Sequence, residues 1–227
     1  MTNTYISIGS CCASATLLKM RNLRYNSLPF DWILSHPEFV YNIIKQLLED
    51  DLNNVVTEFL EPFNLTINCK PTYGDKINYD GGTQLFEKYV TTEENLGGSI
   101  GIYNSKWKIS FPHDFSKTHT VIDQYHRRLE RLKGILLDNN QMKNLLYISP
   151  SSIDTNYCVD GETIINNSPY WIDKLSNLLT SKNIPHTVIY LDSINDEQIT
   201  NENIKYYNLT PKGNWFPLIT ENNIPNF

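Results

Sequence analysis

Two adjacent cysteines, Cys11 and Cys12, stand where an apolar segment gives way to a helix-forming one, in Tyr5-Ile-Ser-Ile-Gly-Ser-Cys-Cys-Ala-Ser14. Tyr5 to Ile8 reads as a buried β-strand, Gly9-Ser10 as a tight turn, and Cys12 to Asn22 as a helix with Leu17, Leu18 and Met20 available for packing. Ser10 suits the N-cap, because its hydroxyl can accept from an unpaired amide of the first turn. Such a junction aims several N–H groups and the positive end of the helix dipole at one point. A thiol placed there ionises more readily, and the thiolate is the nucleophile. Cys12 is therefore the candidate reactive centre. Gly9, Ser10 and Cys11 beside it offer backbone donors to a developing oxyanion. Close packing of a strand on a helix also accounts for small residues here.

A nucleophile needs a base, and the base needs an orienting group. Of five histidines, His113 fits best: it follows a strand, Pro112 stiffens its backbone, and Asp114 or Asp31 could orient its ring. The plainer alternative is a histidine that donates to a backbone carbonyl at a loop corner. Asp31 lies between Phe30 and Trp32, which predicts a semi-buried, paired carboxylate, either with Arg128 or within the site. Arg128 borders the apolar stripe of a long helix, whereas Arg127 and Arg131 point further out. It is thus expected to need an acidic partner or a bound anion. His36, His119, His126 and His186 read as caps or solvated positions. Ser151, Ser152 and Asp154 follow another strand, in a connection to Ser168 that is long for a βα loop and so expected to border the site.

Several elements must position these groups. Leu23 to Trp32 reads as a connecting loop, and Ser35-His-Pro-Glu38 has capping-box spacing with Ser35 as N-cap. The helix it opens carries Phe39, Val40, Ile43, Ile44, Leu47 and Leu48 on one face. Ser99 to Tyr103 and Lys106 to Phe111 predict a hairpin turning at Asn104-Ser105, followed by a helix from Ser116 to Asp138. Leu145 to Ser149, a helix from Pro169 to Ser181 capped by Ser168, and Thr187 to Leu191 make a βαβ crossover and imply parallel pairing. Ile204 to Leu209 adds one more strand. The expected fold is a single three-layer α/β domain over residues 1–227, with a mainly parallel sheet and an antiparallel hairpin. Ligands of open α/β sheets bind beyond the carboxyl ends of the parallel strands. Here those ends lead to Gly9–Cys12, Pro150–Asp154 and Asp192–Ser193, and Pro112–Asp114 also begins where a strand ends.

Composition narrows the classes. A chain of 227 residues can bury one substantial core, and a formal net charge of −6 argues against a nucleic-acid scaffold. No apolar run approaches membrane-spanning length, and the first strand is not preceded by a basic and apolar leader. Cys11, Cys12, Cys69 and Cys158 form neither a disulfide framework nor a zinc-ligand spacing. They read as reduced thiols of a cytoplasmic protein without a metal or cofactor. Gly9 stands alone, and Gly81-Gly82 and Gly97-Gly98 precede no helix, so no phosphate-cradling glycine loop is present.

Four segments occur in order: Ile6-Ser-Ile-Gly-Ser-Cys-Cys12, Ser27-Leu-Pro-Phe-Asp-Trp32, Phe111-Pro-His-Asp114 and Tyr125-His-Arg-Arg-Leu-Glu-Arg-Leu132. Together they resemble the DUF1796 family, whose label is papain-like cysteine peptidase. That family's first motif has Asn before the cysteine, where this chain has Cys11, so the family cysteine maps to Cys12 and the family histidine to His113. A papain-like fold would open on the catalytic helix and then build an antiparallel barrel, whereas the pattern here is strand-first. Gly9-Ser10-Cys11 is also similar to the opening block of SGNH/GSCFA-type esterases, which would make Ser10 the nucleophile. The Asp-x-x-His block of that superfamily is missing near the C-terminus. Residues and resemblance together imply a cysteine-nucleophile hydrolase or acyltransferase acting on an ester, thioester or amide carbonyl of a small-molecule, peptide or glycan substrate. The alternative is a non-catalytic or glycan-modifying protein that holds a nucleotide or sugar phosphate in the same pocket, through Arg128 and the end of the first helix.

Overall fold

A computed structural model describes residues 1–9, 12–57, 59, 83–86, 101–104, 109–111, 118–149, 161–192 and 200–208. In chain order the elements are β1 (Thr2–Ser7), α1 (Cys12–Met20), β2 (Leu34–Ser35), α2 (Pro37–Glu49), α3 (52–57), β3 (Thr83–Phe86), β4 (Gly101–Asn104), β5 (Ile109–Phe111), α4 (Thr118–Leu137), β6 (Gln141–Ile148), α5 (Gly161–Ser181), β7 (His186–Asp192) and β8 (Ile204–Asn208). They form two four-stranded sheets.

The first sheet has the order β1-β6-β7-β8, and every neighbouring pair is parallel. β6 and β7 are central and covered on both faces, which is why Leu145-Leu-Tyr-Ile148 and Val188-Ile-Tyr-Leu191 are continuously apolar. One face, with Ile6, Ile8, Leu145, Tyr147, Val188 and Tyr190, shares a core with α2, α4 and α5. The other, with Leu146, Ile148, Ile189 and Leu191, packs on Ala13, Leu17 and Leu18 of α1. On the first side Phe59 gathers three rings, with centroids at 6.0 Å for Phe30, 5.6 Å for Phe39 and 5.2 Å for Tyr125. α1 stops at Met20, two residues earlier than its sequence suggests. Asn22 takes φ 55°, and Leu23 N–H reaches back to the Leu18 carbonyl at 2.9 Å, the Schellman closure.

The expectation of one mainly parallel sheet carrying an antiparallel hairpin is overturned. The sheet that holds β1 contains no antiparallel pair. β4 and β5 do pair antiparallel (Tyr103↔Ser110), but in a second sheet of order β2-β5-β4-β3. The outer edge of β5 is taken by β2 (Ser35↔Ile109), so the pair extends into its own sheet instead of joining β1 or β8.

Two helix starts are also corrected. Ser35 lies in β2, and His36 is the N-cap of α2, its Nδ1 accepting from Glu38 N–H at 3.0 Å. α5 begins at Gly161 and runs through Pro169, with Ser168 buried inside the helix rather than capping it. Pro169 withholds one N–H from the helical ladder, and the helix continues past it.

Candidate functional site

The helix that follows β1 lies on one face of the parallel sheet, and the helix that follows β6 belongs to the other. β1 and β6 are neighbours. Their outgoing chains therefore diverge, and such a switch in direction, beyond the carboxyl ends of the strands, is where open α/β sheets form the crevice that binds ligands. Gly9 turns the chain out of β1 at φ 110°, a conformation that only glycine adopts without strain. Its carbonyl still accepts from Ile148 N–H at 3.1 Å, so pairing persists to the edge of the crevice. A Cβ on Gly9 would stand 2.7 Å from Ser35 Oγ. Ser35 is 4% exposed, and its hydroxyl has no hydrogen-bond partner among the described residues. Cys12 is the first residue of α1 and is half-buried, packed against the core beneath α1. Ser7 and Ser14 hydroxyls meet at 2.6 Å, fastening β1 to α1 across the turn.

More polar groups collect at the same end of the sheet. Tyr147 OH lies 3.2 Å from Ser168 Oγ, and Tyr190 OH donates to Asp192 Oδ2 at 2.7 Å. Burial, reinforced by the Asp192 charge, pushes the Tyr190 phenol well above its ordinary range, so it stays a donor. The sequence places Asp192 at a ligand-binding strand end, but it offers Ser35 and Ser168 only as helix caps and Tyr147 and Tyr190 only as strand residues. The available signal was Asp192, a carboxylate closing a continuously apolar strand.

Asp31 is buried, and its Oδ2 accepts from Arg24 Nε at 3.0 Å, Arg24 Nη2 at 2.7 Å and Leu28 N–H at 2.8 Å. Burial raises its carboxyl from the usual value, against the pull of the Leu28 amide and Arg24. The expected Asp31–Arg128 pair is thus replaced by a pair within one loop. Arg24 also stands over the Trp32 ring at 5.4 Å. Arg128 is 7% exposed, with its guanidinium 5.0 Å from the Tyr125 ring centroid and, among the described residues, no hydrogen-bond partner for Nε or Nη1. Arg131, expected to point outward, donates through Nη1 to the Ser27 carbonyl at 2.6 Å.

A family model described as "Putative papain-like cysteine peptidase (DUF1796)" matches residues 3–155. The chain belongs to the DUF1796 family. The match runs from β1 through β6 and contains Gly9, Cys12, Asp31, His113, Asp114 and Arg128. α5, β7 and β8, and with them Asp192, follow it. No curated protein and no solved structure matches the chain.

Ser10, Cys11, His113, Asp114, Ser151, Ser152 and Asp154 lie outside the described residues of this DUF1796 protein. β5, which leads to Pro112–Asp114, belongs to the second sheet, so the expectation that it shares a sheet with β1 is corrected. It does run beside β2, whose Ser35 packs on Gly9. His186, expected to be a cap or solvated, is buried at the start of β7. Its Nδ1 faces the Ile184 carbonyl at 2.8 Å and so carries the proton, which leaves Nε2 to accept from Ser176 Oγ at 2.9 Å. Burial lowers its pKa. Among the described residues, no group of three His, Cys, Asp or Glu side chains is placed to hold a metal. No described helix is long and apolar enough to cross a membrane.

Proposed function

We propose that this DUF1796 protein is a single-domain, cysteine-dependent hydrolase or acyltransferase acting on an ester, thioester or amide carbonyl, with Cys12 as nucleophile and His113 as base. One observation carries the reading: Cys12, a half-buried residue, opens α1 at the switch point of the parallel sheet. Thiolates are favoured at helix starts, and the crevice at a switch point is where such sheets bind ligands. His113 takes the Cys12 proton, and the sulfur attacks the carbonyl carbon. A C–S bond forms, and the oxyanion rests on amides around Gly9 to Ala13, with the Ser35 hydroxyl as a further donor. The bond to the leaving group then breaks as His113 returns the proton to it. Water, or an acceptor hydroxyl or amine, cleaves the thioester by the same steps reversed, and the proton goes back to sulfur. Asp31 is committed to Arg24, so Asp114 is the carboxylate that orients His113. Ser151, Ser152 and Asp154 border the substrate, a small molecule, peptide or glycan.

Incubation with an activated ester and a thioester, followed by peptide mapping, tests this. Acylation of Cys12, abolished together with turnover in Cys12→Ala, is the expected result. An adduct on Cys11, Cys69 or Cys158, or unchanged turnover in Cys12→Ala, overturns it.

A further inference from the structure

α4 buries Tyr125, Leu129, Leu132 and Leu136 along one stripe, and Arg128 is carried in with them. A buried guanidinium is tolerated when a carboxylate neutralises it and its N–H groups are bonded. Neither condition is met here. The Tyr125 ring face compensates only a part of the lost hydration. Asp31 is near enough to feel the Arg128 charge, yet its Oδ2 is already filled by Arg24 and Leu28. Arg131 reaches the same loop through the Ser27 carbonyl. Among the described residues, three guanidinium groups thus gather at the loop from Arg24 to Trp32 around one carboxylate, within a chain whose net charge is −6. The local excess is positive, and the two vacant donors are Nε and Nη1. These two donors point along different edges of the guanidinium, and each can donate to an oxygen of a carboxylate or phosphate.

We infer that Arg128 receives an oxyanion, a carboxylate or phosphate group of a small-molecule ligand, on its guanidinium, with Nε–H among the donors. The site stands independently of the Cys12 reading, since every observation for it concerns α4 and the loop it touches. The ligand neutralises a charge that the fold itself leaves uncompensated. Its removal therefore lowers stability, and deleting the charge raises it.

Thermal unfolding in sodium phosphate and sodium acetate, each against sodium chloride of equal ionic strength, tests the site. Near saturation the unfolding midpoint rises by about 2–8 °C. A rise with phosphate alone assigns a phosphate ester, and a rise with acetate alone a carboxylate. Arg128→Met removes the rise and lifts the midpoint in chloride, because the stem still packs while the unpartnered charge is gone; Arg127→Ala keeps the rise. No rise with either anion overturns the inference. So does a rise that persists in Arg128→Met, or a lower chloride midpoint for that variant. If Arg128→Met does not fold, the Arg128 Nε–H resonance of the wild-type protein serves instead. It shifts saturably on phosphate or acetate titration, and a resonance unmoved by both overturns the site.

Discussion

At the amino end of the parallel sheet, Ser176 and His186 make a 2.9 Å hydrogen bond, with Nδ1 of His186 held on the Ile184 carbonyl. At the carboxyl end, Cys12 opens α1, and beside Gly9 the Ser35 hydroxyl has no hydrogen-bond partner among the described residues. Taken atom by atom, the first arrangement is the better nucleophile–base pair, with the correct tautomer already fixed. Its surroundings decide otherwise. Ser176 is wholly buried, and Asn201 closes the margin by donating to Asp173 at 2.9 Å. Close by, Lys143 Nζ gives its protons to the carbonyls of Asp138 and Gln141. Each of these groups has its partner, and none faces a crevice. The carboxyl end instead has a Ser35 hydroxyl without a hydrogen-bond partner among the described residues and a glycine at positive φ, with Cys12, a half-buried residue, at the start of α1. Chemistry is expected where the fold leaves groups unsatisfied beside a crevice.

The contrast breaks most sharply if the wrong end proves active. Cys12→Ala should lower turnover of an activated ester by on the order of 10³-fold or more, as losses of a nucleophile do. Ser176→Ala should leave turnover unchanged, and the reverse pattern in steady-state assays would exchange the roles of the two ends. Next in size, Gly9→Ala should cost roughly 1–3 kcal/mol in urea unfolding, since alanine at φ 110° is strained and its Cβ meets Ser35 Oγ. Ser35→Gly in the same background should recover only the part due to the clash. A smaller loss, about 1 kcal/mol, is expected for Ser176→Ala, which leaves His186 Nε2 buried without a donor.

The smallest effect is a pH slope. Burial depresses the folded pKa of His186 below its unfolded value of 6.5. Between those two values the unfolded chain binds the extra proton, so the stabilisation is complete above pH 6.5 and is lost as pH falls through the folded pKa. Urea midpoints measured at pH 7 and pH 5 should fall in the wild-type protein. The fall should be smaller in His186→Gln, and equal slopes would show that His186 does not titrate in this window.

Local periodicity made much of the fold legible. Val121 to Leu136 announced α4 to within two residues at its start, and the apolar runs Leu145–Ile148 and Val188–Leu191 announced the central strands. What was hidden depended on distant partners. Ser35 has capping-box spacing, but Ile109, 74 positions away, draws it into β2, and His36 takes over the cap. A strand of two residues has no periodicity to read. Pro169 suited the first turn of a helix, and nothing local showed that eight helical residues precede it. At the site, Gly9 and Cys12 were legible because a turn and a helix start are local features. Of the two readings of Asp31, pairing with Arg128 or a place within the site, neither names its hydrogen-bonded partner, Arg24, seven positions away in the same loop, because the stripe margin singles out Arg128.

The pairing of β1 with β6 also has a consequence in time. The Thr4 hydroxyl bonds the Gln141 side chain across 137 positions, and the whole length of β1 lies against β6. On a ribosome adding about 5–20 residues per second, the first strand made would wait roughly 7–27 s for its neighbour to be synthesised. Until then Ile6 and Ile8 have no sheet to enter, and α1 has no surface formed by Leu146 and Ile148 to lie on. The nascent chain therefore carries Cys12 for most of its synthesis without the crevice, and any activity that depends on the crevice arises only after β6 has docked.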